Sequence, residues 1–482
     1  MYRAVRILPT SAKSYHLSIN RFSERSSTIM TDKPYPRVCD YYAGRSVFIT
    51  GGTGFLGKVL IERLLYNCTE IENIFVLIRP KKGVSTQKRL EEMTNVPLFT
   101  KLKQTRPDDL KKLVPVEGDI TAPELGIKSQ DEETLINKVS VVFHSAATVK
   151  FANTFKTTMD ANVGGTRKVL SLSKKLKNIN KFVYISTAFS NPDRLVIDEV
   201  LYEPSQRLKE IGNYYDNQKE HNKKELKKLL DGMPNAYTIS KAISEHIVST
   251  ERGNMSVIVV RPSIVTPVIK DPLPGWADTW IAATALFSDM ARGLMTIMYG
   301  NEHIVGDLVP VDYVCNFTII AAAQSKPRSD DVPVYNFSTS SVNPITYKRA
   351  CGLFVKEAKN IGYSSRVPDK ILQTESDLVA RTVVLLHQYI PSFFKDIGLR
   401  VTGRTPRYLQ ESKRSSLLRE LLKPFTTTSW LINSQNTQAL IASLDEKDKT
   451  MFSCDVSDID WEKYMPIFCA GVKKYLINGK VK

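Results

Sequence analysis

The 482-residue chain is poor in cysteine and histidine, short of acidic residues, and has no long apolar run. Its six cysteines (Cys39, Cys68, Cys315, Cys351, Cys454 and Cys469) lie far apart, and no CxxC pair or histidine cluster joins them. A zinc site and a disulfide framework are therefore not expected, and a reducing compartment facing the cytosol fits. No stretch of eighteen apolar residues occurs, so no membrane-spanning helix is expected, and no secretory h-region is present. The best uncharged apolar stretch, 382–394, is bounded by Arg381 and Lys395 and interrupted by His387 and Pro391. It reads equally as a core helix, a tunnel lining or a segment lying on a membrane surface. Acidic residues number 50 against 67 Lys and Arg, leaving a net charge of +17 that would attract a polyanion. The absence of helix-turn-helix, RNP and zinc-finger patterns argues against nucleic acid, which leaves a phosphorylated small molecule or an anionic membrane face. Part of the excess is simply solvated helix surface, as around Lys223, Lys224, Lys227 and Lys228.

What is present is an ordinary folded composition, 42% hydrophobic and 24% charged, with length for two or three domains. The first thirty residues carry Arg3, Arg6, Lys13, Arg21 and Arg25 against one acid, Glu24, and are rich in serine. That is the composition of a mitochondrial or plastid transit peptide, or of an unstructured extension before Met30. Residues 1–40 are accordingly expected to be a disordered or targeting extension.

From Arg45 the chain reads as strand, glycine turn and helix, with Gly51, Gly54 and Gly57 in a GxxGxxG pattern. Missing side chains there let the turn tighten, let backbone approach a pyrophosphate and let the helix pack on the strand, while the helix N-terminus faces the phosphates. A second strand from Asn73 ends at Arg79, with Lys81 and Lys82 following. An acid at that place would select NAD; a base suits a 2′-phosphate and hence NADP(H), although an ordinary basic loop reads similarly. Further strands are expected at Val114 to Gly118, Val139 to His144, Phe182 to Ser186 and Val257 to Val260, separated by helical patterns. This alternation predicts an α/β fold with a doubly wound parallel sheet. Asp119 and Ile120 would lie near the adenine, Ala146 and Ala147 would permit close cofactor approach, and His144 reads as structural.

Tyr237 and Lys241 are spaced i, i+4, which places both side chains on one helix face. A neighbouring ammonium stabilises a phenolate and pulls the tyrosine down from its ordinary value near 10, making it an acid-base catalyst. Ser186 and Thr187 follow a strand end, where a hydroxyl can bond a substrate carbonyl; Thr187 is preferred because alternate residues face opposite ways.

Taken together, Thr50–Gly57, Gly118–Ile120, His144–Thr148, Ile185–Ala188 and Tyr237–Lys241 resemble an extended short-chain dehydrogenase with a Rossmann sheet. Arg261–Val265, Pro274–Trp276, Asp307–Asp312, Pro424–Trp430 and Asp460–Tyr464 resemble, more narrowly, the male-sterility-type fatty acyl-CoA reductases, from about residue 40 to the end. The resemblance implies NADPH-dependent reduction of a long-chain acyl-CoA to a primary alcohol through an aldehyde. It implies catalysis by Tyr237, Lys241, Thr187 and Ser186, and cofactor binding by Gly51, Thr53, Gly54, Phe55, Leu56, Gly57, Arg79, Asp119, Ile120, Ala146, Ala147 and Lys241. It further implies an NADP-binding domain over 41–340, a mostly helical C-terminal domain over 341–482, and membrane association facing the cytosol at the endoplasmic reticulum or peroxisome. A related dehydrogenase acting on a sterol or nucleotide sugar, or an inactive NADP-binding scaffold, would share the glycine turn.

Overall fold

Apolar runs that are buried on both faces pair side by side here, because β-branched and aromatic residues on alternate sides leave no face for water. The computed structural model describes residues 37–149, 153–217, 223–233, 235–326 and 331–479. The targeting segment expected over 1–30 lies outside them. Among the described residues, seven strands form the main sheet: β1 (Ser46–Thr50), β2 (Asn73–Ile78), β3 (Leu113–Glu117), β4 (Val139–His144), β5 (Lys181–Ile185), β6 (Val257–Pro262) and β7 (Val334–Phe337). Their spatial order is β7-β6-β5-β4-β1-β2-β3, all parallel. This is the doubly wound sheet expected from the sequence. The order of strand addition reverses between β1 and β4, so the crevice beyond their C-terminal ends is the switch point at which such sheets bind ligands.

β5 stops at Ile185, one residue before the expected end, so Ser186 and Thr187 both lie beyond the sheet. β7 was not anticipated: it has four residues and carries a polar Asn336, too short to show a period. Helix α1 (Phe55–Asn67) follows the glycine turn and buries Val59, Leu60, Ile61, Leu64 and Leu65. Even its Arg63 is buried, where its Nε donates to Asn316 at 3.1 Å.

Residues after 340 are mostly helical, and α5 (Tyr347–Asn360) and α9 (Trp461–Gly471) pack together through Phe354 and Phe468, with ring centroids 5.3 Å apart. Phe287, on α4 (Ala283–Ala291), completes an aromatic trio at 5.0 and 5.3 Å. Each such pair contributes about 0.5–1.5 kcal/mol beyond its burial. Two-stranded parallel pairs stitch this part to the rest: Leu372–Thr374 on Ile297–Tyr299, and Leu431–Ile432 on Val196–Ile197. Residues from Arg37 onward form one compact unit. A short helix at Val38–Tyr42 belongs to it, with Val38 and Tyr42 fully buried, so the last residues assigned to an extension are part of the fold.

Candidate active site

The glycine turn shows why two of its glycines have no alternative. Gly51 has φ +74°, and a Cβ there would sit 2.7 Å from the Ala146 backbone nitrogen; at Gly57 it would sit 2.2 Å from the Gly51 carbonyl oxygen. The first contact brings β1 against the loop after β4, and the second brings α1 down onto its own turn. Gly54 caps α1, and with Thr53, Phe55, Leu56 and Gly57 it lines a cavity of about 760 Å³. A helix N-terminus opening on such a space suits a pyrophosphate.

The same cavity is lined by Gly51, Arg79, Asp119, Ile120, Ala146, Ala147, Ser186, Thr187, Tyr237 and Lys241. The glycine turn, Arg79, Asp119 with Ile120, Ala146 with Ala147, and Ser186 with Thr187 follow five different strand ends, and Tyr237 and Lys241 reach the same space from a helix. Arg79 extends from the end of β2 with its side chain 73% exposed, its Nε 4.0 Å from Asp119. Asp119 accepts from the Thr121 amide at 2.9 Å and the Thr121 hydroxyl at 2.8 Å, which holds its loop closed. Arg89, on α2 (Thr86–Thr94), also lines the cavity and donates its guanidinium to the Arg79 carbonyl. The sequence reading missed it; Lys81 and Lys82, named there instead, do not line the cavity. An intact glycine cradle and two arginines at the far edge fit a phosphorylated dinucleotide.

Helix α3 (Ala236–Thr250) carries the tyrosine and lysine, its start fixed by Asn235, whose side chain accepts from the Thr238 amide at 2.9 Å. Tyr237 is hydrogen-bonded with Thr187, which pulls its phenol down, but burial dominates and pushes it up to about 12. Lys241 is buried and lowered to about 7 by desolvation, opposed by Glu245. Its Nζ donates to the Ile185 carbonyl at 2.6 Å and lies 4.7 Å from the Tyr184 ring centroid. The phenol therefore stands above its ordinary value, opposite to the direction expected from the i, i+4 spacing. Burial outweighs the Thr187 hydrogen bond, and the neighbouring amine is turned toward a strand carbonyl.

Ser186 and Thr187 have different partners. The Ser186 hydroxyl donates to Glu245, whose carboxylate takes Arg261 Nε at 2.9 Å and Nη2 at 2.7 Å. Arg261 is fully buried and also donates to the carbonyls of Asp198 and Val200 at 3.1 and 3.0 Å. Ser186 is thus engaged by the Glu245–Arg261 pair, in a network that the sequence alone did not reveal. Asn162 supports the other side: its Nδ2 donates to Ser240 at 2.9 Å and its Oδ1 accepts from the Thr148 amide at 2.8 Å. His144 is structural, as expected, bonded to Thr50 at 2.7 Å and Thr166 at 2.9 Å, with burial lowering it to about 3.

Beyond Tyr237 the cavity wall becomes apolar, with Ile264, Leu286, Phe287, Leu422 and Phe425. No group of three or more His, Cys, Asp or Glu residues able to hold a metal occurs among the described residues.

A parallel sheet in this order, a glycine cradle at its switch point and a Thr–Tyr–Lys array beside it define an extended short-chain dehydrogenase/reductase with a nicotinamide cofactor, an oxidoreductase. Comparison with known proteins narrows the class. Two family descriptions, both "Male sterility protein", match residues 49–318 and 387–479. Fatty acyl-CoA reductase 1 of Xenopus laevis is 35% identical, covering 92% of this chain and 86% of its own length; the Homo sapiens protein of that name is 34% identical over the same shares. Among solved structures, the reductase domain of a nonribosomal peptide synthetase from Mycobacterium tuberculosis aligns with a TM-score of 0.59 at 17% identity, over 93% of this chain and 94% of that one. The terminal R domain of the myxalamid pathway gives 0.58 at 19%, over 91% and 92%. The chain belongs to the fatty acyl-CoA reductase family.

Proposed function

We propose that the protein reduces a long-chain fatty acyl-CoA to a primary alcohol and free CoA with two NADPH, through an aldehyde. The observation that carries this reading is the continuity of one cavity, from the glycine cradle past Thr187, Tyr237 and Lys241 to an apolar wall. NADP rather than NAD is favoured by Arg79 and Arg89 where an acid would otherwise bind the ribose. Bound NADPH supplies a hydride to the carbonyl carbon at each of the two reductions.

The remaining work falls to the chain's own side chains. The Thr187 and Tyr237 hydroxyls, already hydrogen-bonded together, hold the thioester oxygen and stabilise charge developing on it. A phenol raised to about 12 stays protonated at neutral pH, which suits a donor to an oxyanion. Loss of the CoA thiolate leaves an aldehyde, and in the second reduction Tyr237 gives its proton to the alkoxide. Lys241, at about 7, can exchange a proton near neutral pH, and it anchors this corner to the end of β5.

The test is incubation of purified protein with NADPH and acyl-CoAs of increasing length, with products identified by mass spectrometry. Alcohol from long chains is expected, and Tyr237→Phe should lower its rate by roughly 10²-fold or more. No NADPH consumption with any acyl-CoA, or an unchanged rate in Tyr237→Phe, would overturn the reading.

A further inference from the structure

Helices α6 (Asp377–Val384) and α7 (Ile390–Val401) are joined by a π-helical turn over Leu385–Tyr389. Their polarity is inverted. Every fourth residue facing the protein, Ala380, Val384, Gln388, Ser392 and Asp396, is buried, and three of the five are polar. These find polar partners on α8 (Tyr408–Thr426) and its start: Ser392 bonds Ser412 at 2.8 Å, Gln388 accepts from Arg419 at 3.5 Å, and Asp396 accepts from the amides of Arg407, Tyr408 and Leu409 at 2.9 Å each. The outward face is apolar, with Leu378 at 76%, Phe394 at 65% and Val401 at 82% exposure, joined by Leu386, Phe393 and Ile397. A water-facing helix has the opposite arrangement, large apolar residues inside and polar ones outside. Exposed apolar surface gathered on one element marks an interaction site.

The chemistry of the surroundings selects the occupant. Lys395, Arg400, Arg404, Arg407 and Lys413 are exposed on α7, α8 and the connection between them. The acids of the same segment are turned to other uses: Asp377 pairs with Lys423 at 2.6 Å, Glu411 with Arg292 at 3.5 Å, and Asp396 is buried on its three amides. Apolar side chains ringed by bases complement acyl chains beneath anionic headgroups. No helix among the described residues is long and apolar enough to cross a membrane.

We infer that the outer face of residues 377–401 docks in the plane of an anionic lipid bilayer. The segment is the one that read ambiguously in the sequence, and α8, on which it rests, lines the catalytic cavity through Leu422 and Phe425. The docked face therefore sets the apolar end of the cavity close to the lipid phase, where long acyl chains partition.

The experiment is flotation of the full chain with phosphatidylcholine vesicles, alone or containing about one-third phosphatidylserine. The chain should float with the mixed vesicles, and the Leu386→Ser/Phe393→Ser/Phe394→Ser variant should lose that binding by about tenfold or more. Because these side chains are exposed, its thermal midpoint should match the parent. A second variant, Lys395→Gln/Arg400→Gln/Arg404→Gln, should float less with mixed vesicles and lose the advantage of phosphatidylserine over phosphatidylcholine. Parent protein that stays with neither vesicle, or triple-serine protein that floats equally well, overturns the proposal. So does a parent dimer on light scattering that the serine variant breaks without any lipid binding, which would assign the face to a second copy. None of these readouts depends on catalysis, so they stand or fall apart from the proposed reaction.

Discussion

Glu245 and Arg261 form a two-point ion pair, 2.9 and 2.7 Å, beneath the end of β5. Glu245 stands one helical turn past Lys241 and also receives the Ser186 hydroxyl, so one buried carboxylate ties α3, β6 and the loop that presents Thr187. Removing one partner of a buried pair leaves the other charge unsolvated. Glu245→Ala should destabilise the fold by roughly 3–5 kcal/mol in denaturant unfolding. Ser186→Ala, which leaves the pair intact, should cost about 1 kcal/mol and retain most of the activity. Activity lost equally in Ser186→Ala and Thr187→Ala would contradict the division of roles between the two hydroxyls.

Cofactor choice should reside at the exposed edge of the cavity. Arg79 is 73% exposed, so Arg79→Ala should leave the unfolding temperature nearly unchanged. The KM for NADPH should rise about 10- to 100-fold, as expected for loss of a charge-assisted contact, while that for NADH stays level. A parallel rise for both cofactors would place the arginine on the pyrophosphate or the substrate instead.

Acid should weaken the fold before carboxylates are reached. His144 is held at about 3, below an unfolded value near 6.5, because its buried ring would lose solvation on charging. The unfolded state thus binds the proton first, and stability is lost as pH falls from 6.5 toward 3, by at most about 1.4 kcal/mol per pH unit from this group. Lys241, about 7 against 10.5, acts with the same sign at higher pH: stability climbs as pH rises between those values. Denaturant titrations at pH 7 and 5 should show the loss, and His144→Gln should flatten it while lowering stability throughout. A slope unchanged in that variant would assign the acid response elsewhere.

Much of this architecture was legible in the linear chain. β1, β2 and β4 are continuous apolar runs because they are buried on both faces, and the glycines of the turn are required by contacts of 2.2 and 2.7 Å that no side chain could survive. Tyr237 and Lys241 could be paired by spacing because a helix turn is a local object. Arg89, Asn162 and Glu245 escaped for the opposite reason: Asn162 meets Ser240 across 78 positions, and Glu245 meets Arg261 from the next strand.

The sequence by itself determined the alternation of strands and helices, the glycine cradle and the tyrosine–lysine pair, since each depends on neighbours within a few residues. Only the tertiary structure decided which buried ion pair holds Ser186, which way burial moves the phenol, and which side of 377–401 looks outward. Periodicity reports that a helix has an apolar stripe; the stripe's direction depends on what the rest of the chain places against it.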